Sequence, residues 1–293
     1  MPHKPFSPAA IALLIALTMT AFAANSLLCR AALMQSGIDP ATFTAVRLVS
    51  GALTLWLIVR ARDGATRGGA AGSWSSALAL FGYAAGFSFA YVQLPAAAGA
   101  LILFGAVQAT MIGFGLWKGE RLRPSQTAGV ALALGGLIAL LLPGLTAPPL
   151  EGAILMAGAG VAWGVYSLRG KGAGDPLAAT AGNFLRSVPL AIALGAAFVS
   201  RQSWSGAGVG YAIASGALAS GVGYAIWYTV APRLSAIGAA TVQLSVPVLA
   251  AGGGALFLGE TLTGRLALCG LAILGGIGLV TGVKKRDPAN GVK

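Results

Sequence analysis

Ten stretches of about 20 mainly apolar residues follow one another along the chain, and this pattern limits its fold more than any other feature. A helix of about 20 apolar residues spans the hydrocarbon core of a bilayer. Charged residues make up only 9% of the sequence, whereas soluble domains carry roughly 25%. So few charges could not cover so much apolar surface in water. The sequence therefore predicts an all-α integral membrane protein with ten transmembrane helices.

Short polar or proline-containing segments separate the predicted spans. The spans are Ala9–Cys29, Pro40–Val59, Ser73–Gln93, Ala96–Trp117, Pro124–Leu142, Leu150–Leu168, Pro176–Val199, Gly206–Val230, Ser235–Leu258 and Thr263–Val283. The first span begins like a signal peptide, with Lys4 before the apolar run and a cleavage-like Ala21-Phe22-Ala23. Because the run continues to Cys29, the length of a full span, we expect the segment to be retained.

The net charge of +12 is a feature of nucleic-acid-binding proteins, but the positions of the charges argue against that class. With the N-terminus inside, 14 of the 19 Lys and Arg lie on the cytoplasmic side, and only Arg30, Arg201 and Arg265 lie outside. This asymmetry is the one that membrane insertion produces. We predict a multi-pass protein of the plasma membrane, the inner membrane in a bacterium, with both termini cytoplasmic and no nucleic-acid partner.

Residues that carry redox or metal chemistry are few. His3, in the N-terminal tail, is the only histidine, and the two cysteines, Cys29 and Cys269, lie in apolar segments without a CxxC motif. We expect both cysteines to act as small buried apolar side chains rather than as a disulfide. The sequence predicts no metal site and no cofactor.

The chain contains one unit twice. A shift of 140 residues sets Leu116-x-x-Gly119-Glu120-x-Leu122 over Leu256-x-x-Gly259-Glu260-x-Leu262. A shift of 141 sets Phe22, Asn25 and Arg30 over Trp163, Tyr166 and Lys171, and a shift of 136 sets Asp39-Pro40 over Asp175-Pro176. Because each unit has an odd number of helices, five, the second copy must cross the bilayer in the opposite direction. The repeats, predicted as residues 1–145 and 146–293, have the inverted arrangement typical of secondary transporters.

These motifs carry a resemblance to a known family. The Leu258-Gly259-Glu260 step before a glycine-rich last helix, the Pro40-x-x-Phe43-x-x-x-Arg47 run and the Trp163-Gly164 pair resemble the EamA-type branch of the drug/metabolite transporter superfamily. The first repeat departs from this pattern, with Phe22-Ala23 and Lys118-Gly119-Glu120 at the matching positions. Within the branch, the chain is similar to amino acid exporters, including aromatic amino acid exporters. The resemblance implies a small-molecule substrate and a bilayer as surroundings, and we expect a functional monomer.

Aromatic residues at membrane depth are the first candidates for a binding site. Tyr83, Phe87 and Tyr91 recur at every fourth position and form one helix face. We expect Tyr91 and Tyr228 in the interfacial belt, and the deeper rings around a central wet cavity or in helix packing. The aromatic candidates for substrate contact are Phe22, Tyr83, Phe87, Trp163, Tyr166 and Tyr224.

Polar groups within the spans are the second set of candidates. Amides are costly against lipid, so we expect Asn25, Gln108, Asn183 and Gln243 to face the bundle interior, as substrate ligands or as links between helices. Arg47 and Arg186 are the only charges well inside spans. Each could bind a carboxylate through its planar fork, or brace the fold through backbone carbonyls.

Alternating access requires movement of the helices, and a proton-coupled carrier also needs a titratable group whose pKa changes between the two facing states. Pro189 and Pro247 interrupt their spans and are predicted hinges. All seven acids lie at loops or helix ends, so we expect no intramembrane proton relay and treat Glu120 and Glu260 as solvated end groups or gates.

The leading hypothesis is a secondary transporter that exports amino acids or similar amphiphilic metabolites. Multidrug efflux and other metabolite carriage, nucleotide sugars included, remain open, as does a passive channel. An intramembrane enzyme is disfavoured because no His, Asp or Glu lies at depth.

Overall fold

The computed structural model describes residues 7–63, 71–119, 121–144, 147–170, 174–234 and 242–282. Within these ranges every regular element is a helix. The helices are α1 (Pro8–Gln35), α2 (Pro40–Asp63), α3 (Trp74–Tyr91), α4 (Ala96–Trp117), α5 (Pro124–Leu141), α6 (Leu150–Gly170), α7 (Pro176–Ala197), α8 (the consecutive segments Gly206–Ile213, Ala214–Val222 and Gly223–Val230), α9 (Ser245–Leu258) and α10 (Gly264–Gly282).

Six helices of the described chain are long and apolar enough to cross a membrane, namely α1, α2, α4, α5, α7 and α8. Helices α9 and α10 are apolar as well, and α3 and α6 pack against each other. Large apolar side chains such as Leu256, Leu268 and Leu271 are more than two-thirds exposed on the outside of the bundle. Such a surface suits lipid rather than water. The predicted membrane fold of ten helices is confirmed.

The two repeats begin their second helix with the same local signal. Asp39 accepts hydrogen bonds from the backbone N–H groups of Ala41 and Thr42, and Asp175 caps the start of α7 in the same way. Pro40 and Pro176 follow as the first helical residues, where a missing N–H costs nothing. The Asp-Pro pairs that align in sequence therefore have the same structural role.

The packing of the helices follows the inverted repeat. Helix α3 packs on α6, and its counterpart α8 packs on α1; α2 packs on α7, and α5 on α10. Helices α5 and α10 pack closely at two glycines. A Cβ added to Gly129 would lie only 2.6 Å from the carbonyl oxygen of Gly276, so glycine is needed for this approach. The repeat thus relates the α3–α6 contact to the α1–α8 contact, whereas α2–α7 and α5–α10 each pair two equivalent helices. The predicted boundary at residues 145 and 146 falls outside the described residues and stays a prediction.

Most helices of the described chain begin and end within four residues of their predicted bounds, but two spans need separate comment. Helix α1 continues six residues beyond the predicted end at Cys29, so Arg30 lies within a helix and not in an outer loop. The cause is packing, because Ala31 and Ala32 are buried against the bundle although a charge precedes them. The first part of the predicted span Ser235–Leu258 falls in residues 235–241, outside the described ranges.

The middle of α8 is not an α-helix. Residues Ala214–Val222 form a π-helix, in which each N–H bonds to the carbonyl five residues earlier. The segment passes close to α2, because a Cβ at Gly216 would collide with the carbonyl oxygen of Arg47 and with Ser50 Oγ. Gly216 therefore permits a backbone contact between α2 and α8 beside the centre of the bundle.

Candidate functional site

A small cavity lies between the two repeats, with walls from helices of both. Only about 40 Å³ of it admits the centre of a water molecule. Its lining is Phe22, Asn25, Ser26, Tyr83, Phe87, Leu103, Phe104, Trp163, Ala219, Ser220, Tyr224 and Gln243. A volume of about 40 Å³ holds a few water molecules, whereas ligand pockets measure roughly 300–1,000 Å³. The structure is therefore of a closed state, and a substrate enters only after the helices move.

The sequence candidates fall into three groups by position. Seven line the cavity, namely Phe22, Asn25, Tyr83, Phe87, Trp163, Tyr224 and Gln243. Arg47, Tyr166 and Asn183 lie directly behind this lining, through contacts given below. Gln108 lies instead in a separate apolar groove between α4, α5 and α10. Arg186 donates to the carbonyl oxygens of Ala71 and Gly182, so it braces the start of α3 against α7.

Trp163 organises the aromatic side of the cavity. Its ring centroid lies 4.8 Å from Tyr83, 5.3 Å from Tyr166 and 5.6 Å from Tyr224. The planes of Tyr166 and Tyr224 are inclined to the indole by only 26° and 19°, so these rings stack on it. Phe22 also packs on Tyr224, with the two ring centroids 5.7 Å apart. An apolar or cationic group that enters would meet ring faces from both repeats.

The polar side of the cavity centres on the hydroxyl group of Tyr83. Asn25 Nδ2 and Arg47 Nη2 each donate to this oxygen at 3.2 Å. Asn25 Oδ1 in turn accepts from Ser215 Oγ at 2.5 Å, which ties the π-helical part of α8 to α1. Neither partner of Tyr83 uses the hydroxyl hydrogen, since both are donors.

Arg47 carries a buried positive charge. Its side chain is only 2% exposed, and its guanidinium lies 4.8 Å from the ring centre of Phe87 and 5.3 Å from that of Tyr83. Nε and Nη1 have no hydrogen-bond partner, and no ion pair of the described residues includes Arg47. The aromatic faces offset part of the cost of burying this charge. The cavity therefore lies in a positive field.

A second polar cluster lies on the other side of the aromatic stack. Tyr166 donates to Thr180 Oγ1 at 3.3 Å, and Thr180 donates to the hydroxyl of Tyr228 at 3.1 Å. Asn183 donates to Tyr166 at 3.4 Å and accepts from the N–H of Ser73 at 2.8 Å. This cluster links α3, α6, α7 and α8 just behind the cavity wall, and it satisfies the polar groups that the spans bury.

Sequence reasoning missed Ser220. This residue lines the cavity, is 2% exposed, and its hydroxyl group has no partner. A signal was present, because Ala214-Ser215-Gly216 and Ala219-Ser220-Gly221 repeat at a spacing of five, the period of π-helical hydrogen bonds. Tyr91 also differs from expectation: it is fully buried and donates to the carbonyl oxygen of Ala96, so it is not in an interfacial belt.

The two predicted hinge prolines lie in different parts of their helices, one in the interior and one in the first turn. Pro189 lies inside α7, which continues through it to Ala197. Pro247 lies in the first turn of α9, next to a break in helical structure at Leu244, where a proline costs no helical bond.

Comparison with known proteins identifies the family. A model described as the EamA-like transporter family matches residues 150–282. An uncharacterised protein of Pseudomonas aeruginosa is 58% identical over 268 residues, which cover 92% of this chain and 93% of that protein. The threonine/homoserine exporter RhtA of Salmonella typhimurium is 33% identical over 156 residues, which cover 51% of this chain and about half, 52%, of the exporter.

This chain belongs to the EamA-like transporter family. A crystal structure at 21% identity shares the fold, with a TM-score of 0.67 over 96% of this chain and 99% of that chain. The matched range contains Trp163-Gly164 and Leu258-Gly259-Glu260, which carry the resemblance in sequence. The protein is accordingly a membrane transporter and not an enzyme.

One end of this EamA-like transporter is closed by an ion pair. Arg30 Nε lies 3.1 Å from Glu260 Oε1, and both side chains are about 14% exposed or less. Arg30 also donates to the carbonyl oxygen of Tyr91 at 2.8 Å, and Glu260 Oε2 accepts from the N–H of Ala96 at 2.8 Å. The pair thus joins α1, the α3–α4 turn and the end of α9. Of the two roles that the sequence left open for Glu260, the ion pair favours that of a gate over that of a solvated end group; Glu120 lies outside the described residues.

The other end of the transporter is open. A vestibule with about 440 Å³ accessible to the centres of water molecules is lined by Arg62, Asp175, Tyr228 and neighbouring residues. Arg62 pairs with Asp63 and Asp175 across α2 and α7. Burial acts to raise the pKa of Asp175, but hydrogen bonds from Arg62 and the backbone outweigh it and hold this pKa below its usual value. Tyr228 lies 6.4 Å from Tyr224, so one helical turn separates vestibule from cavity.

Proposed function

We propose that this protein exports amino acids or similar small amphiphilic metabolites by alternating access. The observation that carries the proposal is the closed cavity between the repeats, which combines stacked aromatic rings with the polar groups of Asn25, Tyr83 and Ser220. A zwitterion with an apolar side chain needs both surfaces. Similarity of about half the chain to a threonine/homoserine exporter supports the same substrate class.

The proposed cycle moves the two repeats against each other around the cavity. In the state described here, the Arg30–Glu260 pair closes one end, while the vestibule at Arg62 and Asp175 reaches to within one turn of the cavity. Breaking the ion pair and closing the vestibule would present the same cavity to the opposite side. By the distribution of Lys and Arg, we propose that the vestibule end and both termini are cytoplasmic, in a monomer of the plasma membrane.

Multidrug efflux is the second candidate, and the aromatic lining is the observation that favours it. Large apolar cations bind to ring faces such as those of Trp163 and Tyr224. The buried charge of Arg47 beside the cavity opposes a cationic substrate, however, because like charges repel strongly where water is excluded. Amino acid export therefore accounts for more of the site.

The test is uptake into proteoliposomes that contain the purified protein. Labelled L-threonine, L-homoserine and L-phenylalanine are compared with ethidium, and liposomes without protein serve as the control. Saturable uptake of at least one amino acid, with ethidium at the level of the control, is the expected result. Uptake of ethidium without any amino acid would contradict the proposal and favour multidrug efflux.

A further inference from the structure

The donors around Tyr83 have a consequence for what the cavity binds. A phenol hydroxyl accepts hydrogen bonds at its oxygen and donates one through its hydrogen. The oxygen of Tyr83 already accepts from Asn25 Nδ2 and Arg47 Nη2, both at 3.2 Å. Tyr83 itself lines the cavity. Its hydrogen is therefore left for an acceptor inside the cavity.

Arg47 strengthens this donor and adds charge of its own. A guanidinium has five N–H groups, and here Nε and Nη1 have no partner although the residue is 2% exposed. Nη2 carries two hydrogens and gives one to Tyr83, so one of the two edges that bind a carboxylate remains complete. A buried charge without a counter-charge is costly, and a bound anion would remove that cost.

The walls of the cavity supply no competing negative charge. None of its described lining residues is acidic, and the ion pairs of the described chain lie at its two ends. The hydroxyl group of Ser220, which also lines the cavity, is buried without a partner. The stacked rings of Trp163 and Tyr224 form another part of the lining. The unsatisfied charge is thus concentrated at the Tyr83–Arg47 side.

We infer that this side of the cavity is a carboxylate subsite, in which Tyr83 donates to the carboxylate of the substrate and Arg47 holds Tyr83 in place and supplies the positive field. The inference deepens the proposed function and rests on it: the transported metabolite carries a carboxylate, and its apolar part lies against Trp163 and Tyr224. Tyr83 contacts the substrate, whereas Arg47 and Asn25 are positioning residues. Amides of the same metabolites lack the anion and are rejected.

The experiment is binding to the full-length purified protein by isothermal titration calorimetry. The probes are L-phenylalanine and L-threonine, each compared with its carboxamide, which keeps the ammonium group and side chain. A hydrogen bond to a charged group changes affinity by about 10- to 100-fold. We expect at least one acid to bind wild-type protein about tenfold or more tightly than its amide.

The variants separate the subsite from general damage to the fold. Tyr83→Phe keeps the ring and its contacts, and it should shrink the acid-to-amide ratio to about twofold or less. Arg47→Gln should shrink the ratio as well, and Arg47→Lys should restore part of it, which a merely structural arginine would not do. Tyr211→Phe removes a tyrosine hydroxyl in α8 outside the cavity lining, and it should leave both the ratio and the affinity for the acids at the wild-type values.

Three results would overturn the subsite. The first is wild-type protein that binds neither acid, the second is equal binding of acids and amides, and the third is a ratio that Tyr83→Phe leaves unchanged. These outcomes are distinct from failure of the proposed function. Uptake of amino acids without discrimination against amides would reject the subsite alone, and absence of amino acid uptake by a protein with the expected binding ratio would reject export alone.

Discussion

At the scale of single residues, Trp163 is the side chain on which the cavity depends. It is the only ring that contacts Tyr83 from the first repeat and Tyr166 and Tyr224 from the second among the ring pairs of the described chain. Each such pair adds roughly 0.5–1.5 kcal/mol beyond the burial of its area. Removal of the indole would therefore loosen three walls at once.

Replacement of Trp163 by alanine tests this role. We expect Trp163→Ala to insert into the membrane normally, because one residue changes little in an apolar span, and to lower the transport rate about tenfold or more, since the lost ring contacts together exceed the 1.4 kcal/mol of a tenfold change. Trp204→Ala, at a tryptophan that is 63% exposed, is the matched control and should transport as wild type. Equal rates for both variants in proteoliposomes would show that Trp163 only fills space.

Residue types and spacing predicted part of the site. The fourfold spacing of Tyr83 and Phe87 placed them on one face, and the structure brings both to the cavity. The sequence could not distinguish Arg47 from Arg186, because both are lone charges within spans and only packing leaves one without carbonyl partners. Gln108 faces an apolar groove, and helical periodicity alone does not say which groove a polar side chain enters.

At the scale of elements, the π-helical part of α8 connects the cavity to α2. Ser215 binds Asn25, Ser220 lines the cavity, and Gly216 lies against the backbone at Arg47. A π-helix is rare and frequently lies at a functional site. The repeated Ala-Ser-Gly sequence agrees with this period, but helix propensity alone would assign an ordinary α-helix, because the extra width is stabilised by contacts from other helices.

The contact at Gly216 gives a prediction about stability. A methyl group there would collide with the carbonyl oxygen of Arg47 and with Ser50 Oγ, so we expect Gly216→Ala to lower the free energy of unfolding by about 1–3 kcal/mol. Gly210→Ala lies in the same helix, where a Cβ would meet nothing within 4 Å, and should be neutral or slightly stabilising. The measurement is the melting temperature in detergent. A melting temperature for Gly216→Ala equal to that of Gly210→Ala would contradict the close approach of α2 and α8.

At the scale of the whole molecule, the inverted repeat was readable from sequence because equivalent residues recur at shifts of 136 to 141. The helix pairs α2–α7 and α5–α10 follow from that symmetry. The sequence could not show which end of the transporter is closed, because that depends on which pairs of distant residues meet. Arg30 and Glu260 are 230 positions apart, and no local pattern indicates that they close one end while the other stays open.

The central claim is a cavity that opens to either side in turn, and the accessibility of one residue in it tests this most directly. In protein with Cys29 and Cys269 replaced by alanine, Ser220→Cys is treated with an impermeant maleimide in intact cells and in inverted vesicles. The unsubstituted parent is the control. Because Arg30–Glu260 closes the proposed outer end, we expect faster labelling in inverted vesicles. Glu260→Gln, which removes the ion pair, should speed labelling in intact cells several-fold. Equal labelling from both sides, unaffected by Glu260→Gln, or labelling from neither side would contradict the claim.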